Sequence, residues 1–220
     1  MRFIGDTGVL IEFGDRIDDE IHDQVLNLDI SLAENPFRGW TTSIPAYASL
    51  LVEYDPWMIS SQDVTAHLAG LLHAAPTERR AVRTHKVPVC YELGPDLADV
   101  AAQTGLAPEN VIEQHLAATY RVYMYGFAPG YAYLGVVPQK IRLPRRPTPV
   151  RDIPAGRVMI AGPQCIITTL KMPSGWWVIG HSPLPILRPH DDPPFLFNVG
   201  DCVRFTRIDR DDPALKEIES

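Results

Sequence analysis

Residues 126–135 restrict the possible structures of this chain more than any other segment does. They place three glycines, one proline and three aromatic residues within ten positions. Glycine permits backbone angles and close approaches that other residues forbid, and proline fixes φ. Aromatic rings between such residues are usually held for packing or for presentation to a ligand. We therefore predict a shaped, semi-rigid wall here, with a pocket or an interface built around it.

The first 80 residues alternate strand and helix signals. Residues 9–13 and 44–54 are strand-like runs, whereas apolar residues recur at helical spacing from residue 17 to residue 32. Ser60, with Asp63 three residues later, resembles a capping box that begins a second helix. With a third strand, this order predicts a small α/β sandwich of residues 1–80.

The second half of the chain has a different pattern. Residues 74–86 are polar and basic, and we predict a linker there that leads into a strand at residues 87–91. Two short helices are predicted at about residues 96–117. After them come short strand signals punctuated by glycine and proline, and most of the 21 prolines lie after residue 128. This pattern predicts a barrel-like domain of residues 87–210 with an inserted helix pair, so the fold class is α+β.

The predicted helix pair, with Thr104-Gly105-Leu106 at its centre, also resembles a helix-turn-helix, which makes DNA binding a hypothesis. The pair contains four acidic residues and no lysine or arginine, and the chain has a net charge of −7. Helices without cations would repel phosphates, so we expect no nucleic-acid partner. The favoured interpretation is a plain helical hairpin packed on the barrel.

The cysteine content and the hydropathy favour a cytoplasmic protein with reduced thiols. The three cysteines are an odd number at wide spacing, without a CxxC motif or a Cys/His cluster of zinc spacing. Acidic residues interrupt any apolar run near the N-terminus, which argues against a signal peptide. No segment approaches the roughly 18 apolar residues of a spanning helix, so no membrane partner is expected.

A proline-rich segment between residues 140 and 157 concentrates positive charge. Its basic residues, opposed by a single acidic one, are Lys140, Arg142, Arg145, Arg146, Arg151 and Arg157. Guanidinium groups bind carboxylates and phosphates through two parallel hydrogen bonds. One interpretation is therefore a site for an anionic small ligand, and the other is a solvated surface or one that meets an acidic partner.

Titratable residues flank the aromatic stretch, among them His115, Tyr120, Tyr125 and Tyr133. A histidine can act as general acid or base near neutral pH, although a lone histidine at the end of a short helix is more often a capping or packed residue. The chain contains neither a G-x-S-x-G motif nor a G-x-x-x-x-G-K-[ST] phosphate loop. If ATP is involved, this chain does not bind it in the P-loop manner.

Several motifs occur in one order along nearly the whole chain. They include residues 126–134, Pro144-Arg145-Arg146, Ile153-Pro154-Ala155-Gly156-Arg157-Val158 and Ile160-Ala161-Gly162, with Val87-Pro88-Val89-Cys90-Tyr91 upstream and Gly200-Asp201 downstream. In this order they resemble the family of 5-oxoprolinase B-subunits, which is also called allophanate hydrolase subunit 1 and includes the kinase inhibitor KipI.

The resemblance implies a small ferredoxin-like N-terminal domain followed by a cyclophilin-like β-barrel. It also implies a C-type, KipA-like partner protein. Together with an A-type protein, the complex would open 5-oxoproline to glutamate with ATP and Mg, and this chain alone would be inactive. The same modules, fused, form the carboxyltransferase part of urea carboxylases. The alternatives are a KipI-like inhibitor of a sensor histidine kinase and a divergent paralogue of urea or allophanate metabolism.

The resemblance also suggests roles for single residues. Arg145 would hold a carboxylate or a phosphorylated intermediate, while His115 and Tyr120 would orient the substrate or protonate it. The wall toward substrate or partner would comprise Phe127, Pro129, Gly130, Tyr133, Pro154 and Gln164. The family's usual Ala-Gly-Gly-Gln-Thr-Gly is replaced here by Ala-Gly-Pro-Gln-Cys-Ile at residues 161–166, which leaves the exact substrate open.

Overall fold

The computed structural model describes residues 1–73 and 81–216. The chain divides into two compact units, Met1–Ala81 and Val82–Ser220. Residues 74–80 of the predicted linker lie outside the described residues. None of the helices within the described ranges is long and apolar enough to cross a membrane.

The first unit is a four-stranded antiparallel sheet with two helices. Its elements are β1 (Arg2–Ile4), β2 (Gly8–Glu12), α1 (Asp19–Glu34), β3 (Trp40–Pro45), β4 (Ser49–Tyr54) and α2 (Ser61–His73). The strand order is β1-β2-β4-β3. Alternate residues of β2 and β4 form one core with the apolar residues of both helices, including Val9, Val52, Leu28 and Leu68.

Side-chain caps explain where the two helices begin. Asp18 accepts hydrogen bonds from the backbone N–H groups of Glu20 and Ile21, so α1 begins after it. The Ser60 hydroxyl oxygen accepts from the backbone N–H of Asp63 at 3.2 Å, and the hydroxyl donates to the Asp63 carboxylate at 2.7 Å. The predicted cap of the second helix is therefore confirmed.

The prediction of one strand over residues 44–54 was wrong, because the segment is a hairpin. Strand β3 ends at Pro45 and β4 begins at Ser49, and the turn between them is closed by a 2.8 Å hydrogen bond from Ala46 N to the Ser49 carbonyl. The turn lacks glycine and asparagine, so no local signal marks it. The order β2-α1-β3-β4-α2 is ferredoxin-like, with β1 in the edge position beside β2.

The second unit is built on a seven-stranded sheet. Its elements are β5 (Thr84–Val89), α3 (Leu97–Thr104), α4 (Pro108–Ala117), β6 (Tyr120–Tyr125), β7 (Ala132–Gly135), β8 (Val150–Ile153), β9 (Arg157–Ala161), β10 (Gln164–Ile167), β11 (Met172–Ser174), β12 (Trp177–His181), β13 (Cys202–Arg207) and α5 (Pro213–Lys216). The sheet order is β12-β9-β10-β7-β6-β13-β5, and β8 pairs with β11 separately.

The two ends of the seven-stranded sheet meet and nearly close it into a barrel. Cys90, just after β5, exchanges two backbone hydrogen bonds of 2.8 and 2.9 Å with His181 at the end of β12. Closure removes the open sheet edges at this point. The predicted α+β fold class with a barrel-like second part is confirmed.

Side chains alternate across the barrel wall and create two apolar clusters. Cys165 and Ile167 of β10 belong to an interior cluster of buried residues, whereas Ile166 between them belongs to a second one. This outer cluster comprises Tyr131, Ile153, Met159, Ala161, Ile166, Trp176 and Val178. Ile153 of β8 lies in it and Met172 of β11 packs against it, so the separate strand pair covers this face of the barrel.

Helices α3 and α4 pack on the barrel as a hairpin. Their apolar residues, including Val100 and Val111, are fully buried in the interior cluster. Gly105 ends α3 in the left-handed region with φ 71°, a conformation that favours glycine. The apolar face of the pair is thus used internally, as the plain-hairpin interpretation predicted.

Arg146 connects the proline-rich segment to the barrel. Its guanidinium forms an ion pair with Asp96 and lies 4.2 Å from the centre of the Trp177 ring. Its backbone N–H donates to the Gly175 carbonyl at 2.7 Å. Asp96 in turn accepts a 2.7 Å hydrogen bond from the backbone N–H of Val178. The guanidinium of this candidate anion-binding residue therefore already has partners within the fold.

The substitution Arg146→Ala is expected to lower the free energy of unfolding by about 2–3 kcal/mol, because it leaves the largely buried Asp96 carboxylate without its cation. Urea denaturation measures the change. The matched control is Arg151→Ala, which removes an exposed arginine of the same segment and should change stability by less than about 0.5 kcal/mol. Equal effects of the two variants would contradict the structural role of Arg146.

Candidate functional site

A small cavity opens beside the aromatic stretch, at the outer cluster of the barrel. Its volume is about 100 Å³. It is lined by Phe127, Tyr131, Tyr133, Arg145, Ile166, Pro173, Ser174, Gly175 and Trp176. We call it the Arg145 cavity, and the predicted wall forms one of its sides.

The wall is held in shape by its own backbone and by one anchor. Gly126 N donates to the Tyr131 carbonyl at 3.1 Å, which folds the loop back on itself. The Thr169 hydroxyl donates to the Pro129 carbonyl at 2.6 Å. Gly130 has φ 75°, and a Cβ there would lie 3.0 Å from the Thr169 side chain, so both its conformation and its space require glycine.

Phe127 stands at the mouth of the cavity with 74% of its surface exposed. Its φ of 71° lies in the left-handed region, which is uncommon for a residue with a bulky side chain. Its ring centre is 5.8 Å from that of Tyr131. Strained conformations of this kind persist where the surrounding structure enforces them, often at ligand sites. The loop thus holds an aromatic ring out toward solvent beside the cavity.

Tyr131 contributes a buried hydroxyl that has no hydrogen-bond partner among the described residues. The residue is 2% exposed, and burial, with a smaller contribution from Tyr133, raises the pKa of Tyr131 to about 12. The hydroxyl is therefore protonated at neutral pH and can donate. An unpaired buried polar group costs about 1–3 kcal/mol, so an acceptor bound in the cavity would recover that free energy.

Arg145 contributes the positive charge of the cavity. Its side chain is exposed, and its guanidinium carbon lies 5.5 Å from the centre of the Trp176 ring. Within residues 1–73 and 81–216 no carboxylate is ion-paired with Arg145, so its donors are available to a ligand. Tyr133 packs edge-on against Trp176 at 6.0 Å and completes an aromatic surface below the guanidinium. The cavity therefore suits a small anion with an apolar or planar body.

His115 lies elsewhere, in the interior of the barrel. It is fully buried, its ring stacks on Phe205 at 4.4 Å, and its Nδ1 is 2.7 Å from the Tyr91 hydroxyl. Burial lowers the pKa of His115 to about 3, so the ring is neutral at neutral pH. A neutral imidazole is a poor source of protons, so the general-acid role is disfavoured at that pH.

Tyr120 is buried next to His115. Its hydroxyl donates to the His115 carbonyl at 3.1 Å, and burial raises its pKa. Both residues belong with the interior of the barrel, whereas Arg145 lines a cavity at the outer cluster. The structure does not bring the three predicted catalytic residues together, and their catalytic roles stay predictions.

Of the residues predicted to form the wall, some lie at the Arg145 cavity and others lie outside it. Phe127 and Tyr133 line the Arg145 cavity, and Pro129 and Gly130 belong to the loop behind it. Pro154 is exposed and offers its carbonyl to the Thr168 hydroxyl at 2.7 Å, outside the cavity lining. Gln164 begins β10 and is likewise not a lining residue.

Sequence reasoning missed six of the nine residues that line the cavity, and Tyr131 and Trp176 are the two aromatic ones among them. Tyr131 lies within the aromatic stretch and Trp176 within a Gly-Trp motif, but nothing local distinguishes them from ordinary core aromatics. Tyr131 directly precedes β7 and Trp176 directly precedes β12, and the successive pairing of β7, β10, β9 and β12 places both rings in the outer cluster.

The proline-rich basic segment is not a single anion site. Arg142 donates to the Val137 carbonyl at 2.6 Å, and Arg157 donates to the Leu93 carbonyl at 2.7 Å. Of the six basic residues, Arg145 alone lines the cavity. In the part of the chain that the structure describes, no group of three or more His, Cys, Asp or Glu residues is placed to hold a metal ion.

Comparison with known proteins finds relatives over almost the full chain. The family model for the carboxyltransferase domain, subdomain C and D, matches residues 1–197. The B-subunit of 5-oxoprolinase from Bacillus subtilis (strain 168) is 40% identical over 97% of this chain and 95% of its own. The B-subunit of 5-oxoprolinase from Escherichia coli O157:H7 is 45% identical over 54% of this chain and 56% of its own.

Solved structures show the same fold. The protein TTHA0988 superposes with a TM-score of 0.83 and 37% identity over 94% of this chain, which spans only 41% of that longer chain. A Pyrococcus horikoshii protein, PH0987, is 41% identical and is covered over 96% of its length, with a TM-score of 0.57. The Kluyveromyces lactis urea amidolyase, at 17% identity and a TM-score of 0.76, shares the fold over 15% of its chain.

The buried His115 predicts a pH dependence of stability. The pKa of His115 in the folded protein lies below its ordinary value of 6.5. The stability that the neutral ring contributes to the fold is therefore complete above pH 6.5 and is lost as the pH falls toward 3. Between about pH 7.5 and about pH 5.5, the wild type should lose about 1 kcal/mol more unfolding free energy than His115→Gln, which cannot titrate.

Urea denaturation at both pH values measures this difference. Substitution of the exposed His190, as His190→Gln, is the control and should leave the pH dependence unchanged. Parallel pH profiles for wild type and His115→Gln would show that the ring is not held neutral by the fold.

Proposed function

The chain belongs to the carboxyltransferase-domain family, subdomains C and D, and we propose that it is the B-type component of an ATP-dependent 5-oxoprolinase complex. The observation that carries the proposal is 40% identity to the B-subunit of a 5-oxoprolinase across nearly the full length of both chains. The coverage includes both compact units, so the likeness is not confined to a shared barrel.

The chemistry of the Arg145 cavity supports this substrate class. 5-Oxoproline is a small five-membered cyclic amide that carries one carboxylate. The Arg145 guanidinium and the Tyr131 hydroxyl are donors suited to that carboxylate, because charged hydrogen bonds are about twice as strong as neutral ones. Trp176 and Tyr133 provide the flat apolar surface against which the ring would pack.

The Arg145 cavity does not fit Mg-ATP. The Arg145 cavity has a volume of about 100 Å³, below the roughly 300–1,000 Å³ of pockets for larger ligands. The sequence has no P-loop, and the described residues offer no cluster of metal ligands. We therefore propose that the A-type and C-type partners supply the nucleotide site.

A partner surface is proposed at the mouth of the same cavity. Phe127 exposes most of its ring there, and burying an aromatic side chain on association is strongly favourable. A C-type partner packed on Phe127 would close the cavity and exclude water from the bound amide. We propose a cytoplasmic complex, while the KipI-like and urea-metabolism alternatives stay predictions.

Replacing the cation of the cavity tests the proposal. In a complex assembled from this chain and its A-type and C-type partners, Arg145→Gln should raise the KM for 5-oxoproline about tenfold or more, since a charged hydrogen bond is worth about 1.5–3 kcal/mol. The assay is 5-oxoproline-dependent ATP hydrolysis. Arg151→Gln, which removes an exposed arginine outside the cavity, is the matched control.

A folded wild-type complex without 5-oxoproline-dependent turnover would refute the proposed substrate. Turnover with an unchanged KM in Arg145→Gln would instead refute the assignment of the cavity. The two failures are therefore separable.

Tyr131→Phe provides an independent test, because the isolated chain and the assembled complex should respond differently. Removal of an unpaired buried hydroxyl should leave the unfolding free energy of the isolated chain unchanged or raise it by up to about 1 kcal/mol. The same variant should raise the KM for 5-oxoproline about fivefold to tenfold, because the ligand loses a donor. Denaturation of the chain and turnover of the complex give the two measurements. Lower stability with an unchanged KM would show that the Tyr131 hydroxyl serves the fold and not the ligand.

A further inference from the structure

A second and larger cavity, distinct from the Arg145 cavity, lies within the Val82–Ser220 unit. Its volume is about 460 Å³, within the range of small-molecule sites. It is formed by the start of β5 and the connection between β12 and β13. That connection folds back on itself through a bridge between Leu187 and Phe195, and Arg188 N donates to the Pro194 carbonyl at 2.7 Å. We call it the His85 cavity.

His85 is fixed in this cavity by Asp201, which is 3% exposed. The Asp201 carboxylate is 2.9 Å from His85 Nε2, and it accepts backbone hydrogen bonds from Asn198 at 2.9 Å and Arg83 at 3.2 Å. Burial opposes ionisation of Asp201, but these hydrogen bonds outweigh it and lower its pKa. An ionised carboxylate only accepts, so His85 Nε2 donates to it, and Nδ1 is the ring nitrogen that Asp201 does not engage.

The cavity is lined by charged residues of both signs, and only one pair of them forms an ion pair among the described residues. Arg188 is paired with Asp191 at 3.3 Å. Arg83 and Asp192 also line the cavity, and neither side chain forms an ion pair with any described residue. One cavity therefore holds an available cation, an available anion and an available imidazole nitrogen.

We propose that the His85 cavity binds a zwitterionic α-amino acid. The ligand carboxylate would accept hydrogen bonds from Arg83, and its ammonium would donate to Asp192 and to His85 Nδ1. Phe195, which stacks on Tyr125 at 4.8 Å, provides a rigid apolar wall for the ligand side chain. A simple anion would leave Asp192 opposed to it, and a simple cation would meet Arg83, so a ligand with both charges matches the lining best.

The choice of glutamate as the probe rests on the proposed function, because the proposed reaction releases that amino acid. Binding of its product at a site separate from the Arg145 cavity would give the chain a means of sensing product. Isothermal titration calorimetry of the full chain with L-glutamate tests the site without partner proteins or ATP. Glutarate, which lacks the ammonium group, and γ-aminobutyrate, which lacks the α-carboxylate, are the matched probes.

L-Glutamate should bind saturably and at least about tenfold more tightly than either matched probe. Arg83→Gln and Asp192→Asn should each weaken its binding by about tenfold or more, whereas Arg151→Gln should leave it unchanged. Arg83 and Asp192 are exposed, so both variants should fold. No saturable binding of L-glutamate, equal binding of glutarate, or unchanged binding in Arg83→Gln would each overturn the proposal.

Failure of this titration does not affect the test of 5-oxoproline turnover, which reports on the Arg145 cavity in the assembled complex. Conversely, absence of turnover with intact glutamate binding would refute the proposed substrate and leave the amino-acid site standing.

Discussion

The alternation of side chains across a nearly closed barrel wall is the constraint on which the second unit depends. Neighbouring residues of one strand point to opposite faces. In β10 this puts Cys165 inside and Ile166 outside. Because the hydrogen bonds between Cys90 and His181 join the ends of the sheet, the inner face encloses the interior cluster. The outer face then needs its own cover, which β8 and β11 provide, and the Arg145 cavity lies at this cover.

Local signals in the sequence were sufficient for the elements whose cause is local. The Ser60 cap, the helix that follows Asp18 and the glycine-rich aromatic wall were all predictable, since each depends on neighbours a few residues away. The hairpin of β3 and β4 was not, because its turn has no residue with special backbone freedom. The cyclophilin-like barrel was predicted from the family resemblance, because the patterns of single strands indicate a barrel only in outline.

The candidate site was predicted less well, because a side chain's face depends on sheet register. A one-residue shift in register would exchange the faces, and a strand such as β10, which buries apolar residues on both faces, has no alternating pattern that distinguishes them. His115 was predicted to act with Arg145, yet it lies in the core against Phe205. Whether a charged side chain is available to a ligand depends equally on tertiary pairing. Arg145 and Arg146 are adjacent, but Arg146 forms an ion pair with Asp96, while Arg145 is available to a ligand.

The lining of the Arg145 cavity suits binding more than catalysis. It offers a cation, a buried donor and aromatic surfaces, but among the described residues that line it there is no histidine, aspartate or glutamate. The Ser174 hydroxyl oxygen already accepts a hydrogen bond from Trp176 N at 3.2 Å, and that described lining places no general base beside it. Opening a stable amide needs both activation and proton transfer. Under the proposed function, this chain would position the amide, and its partners would supply the groups that the described lining of the cavity lacks.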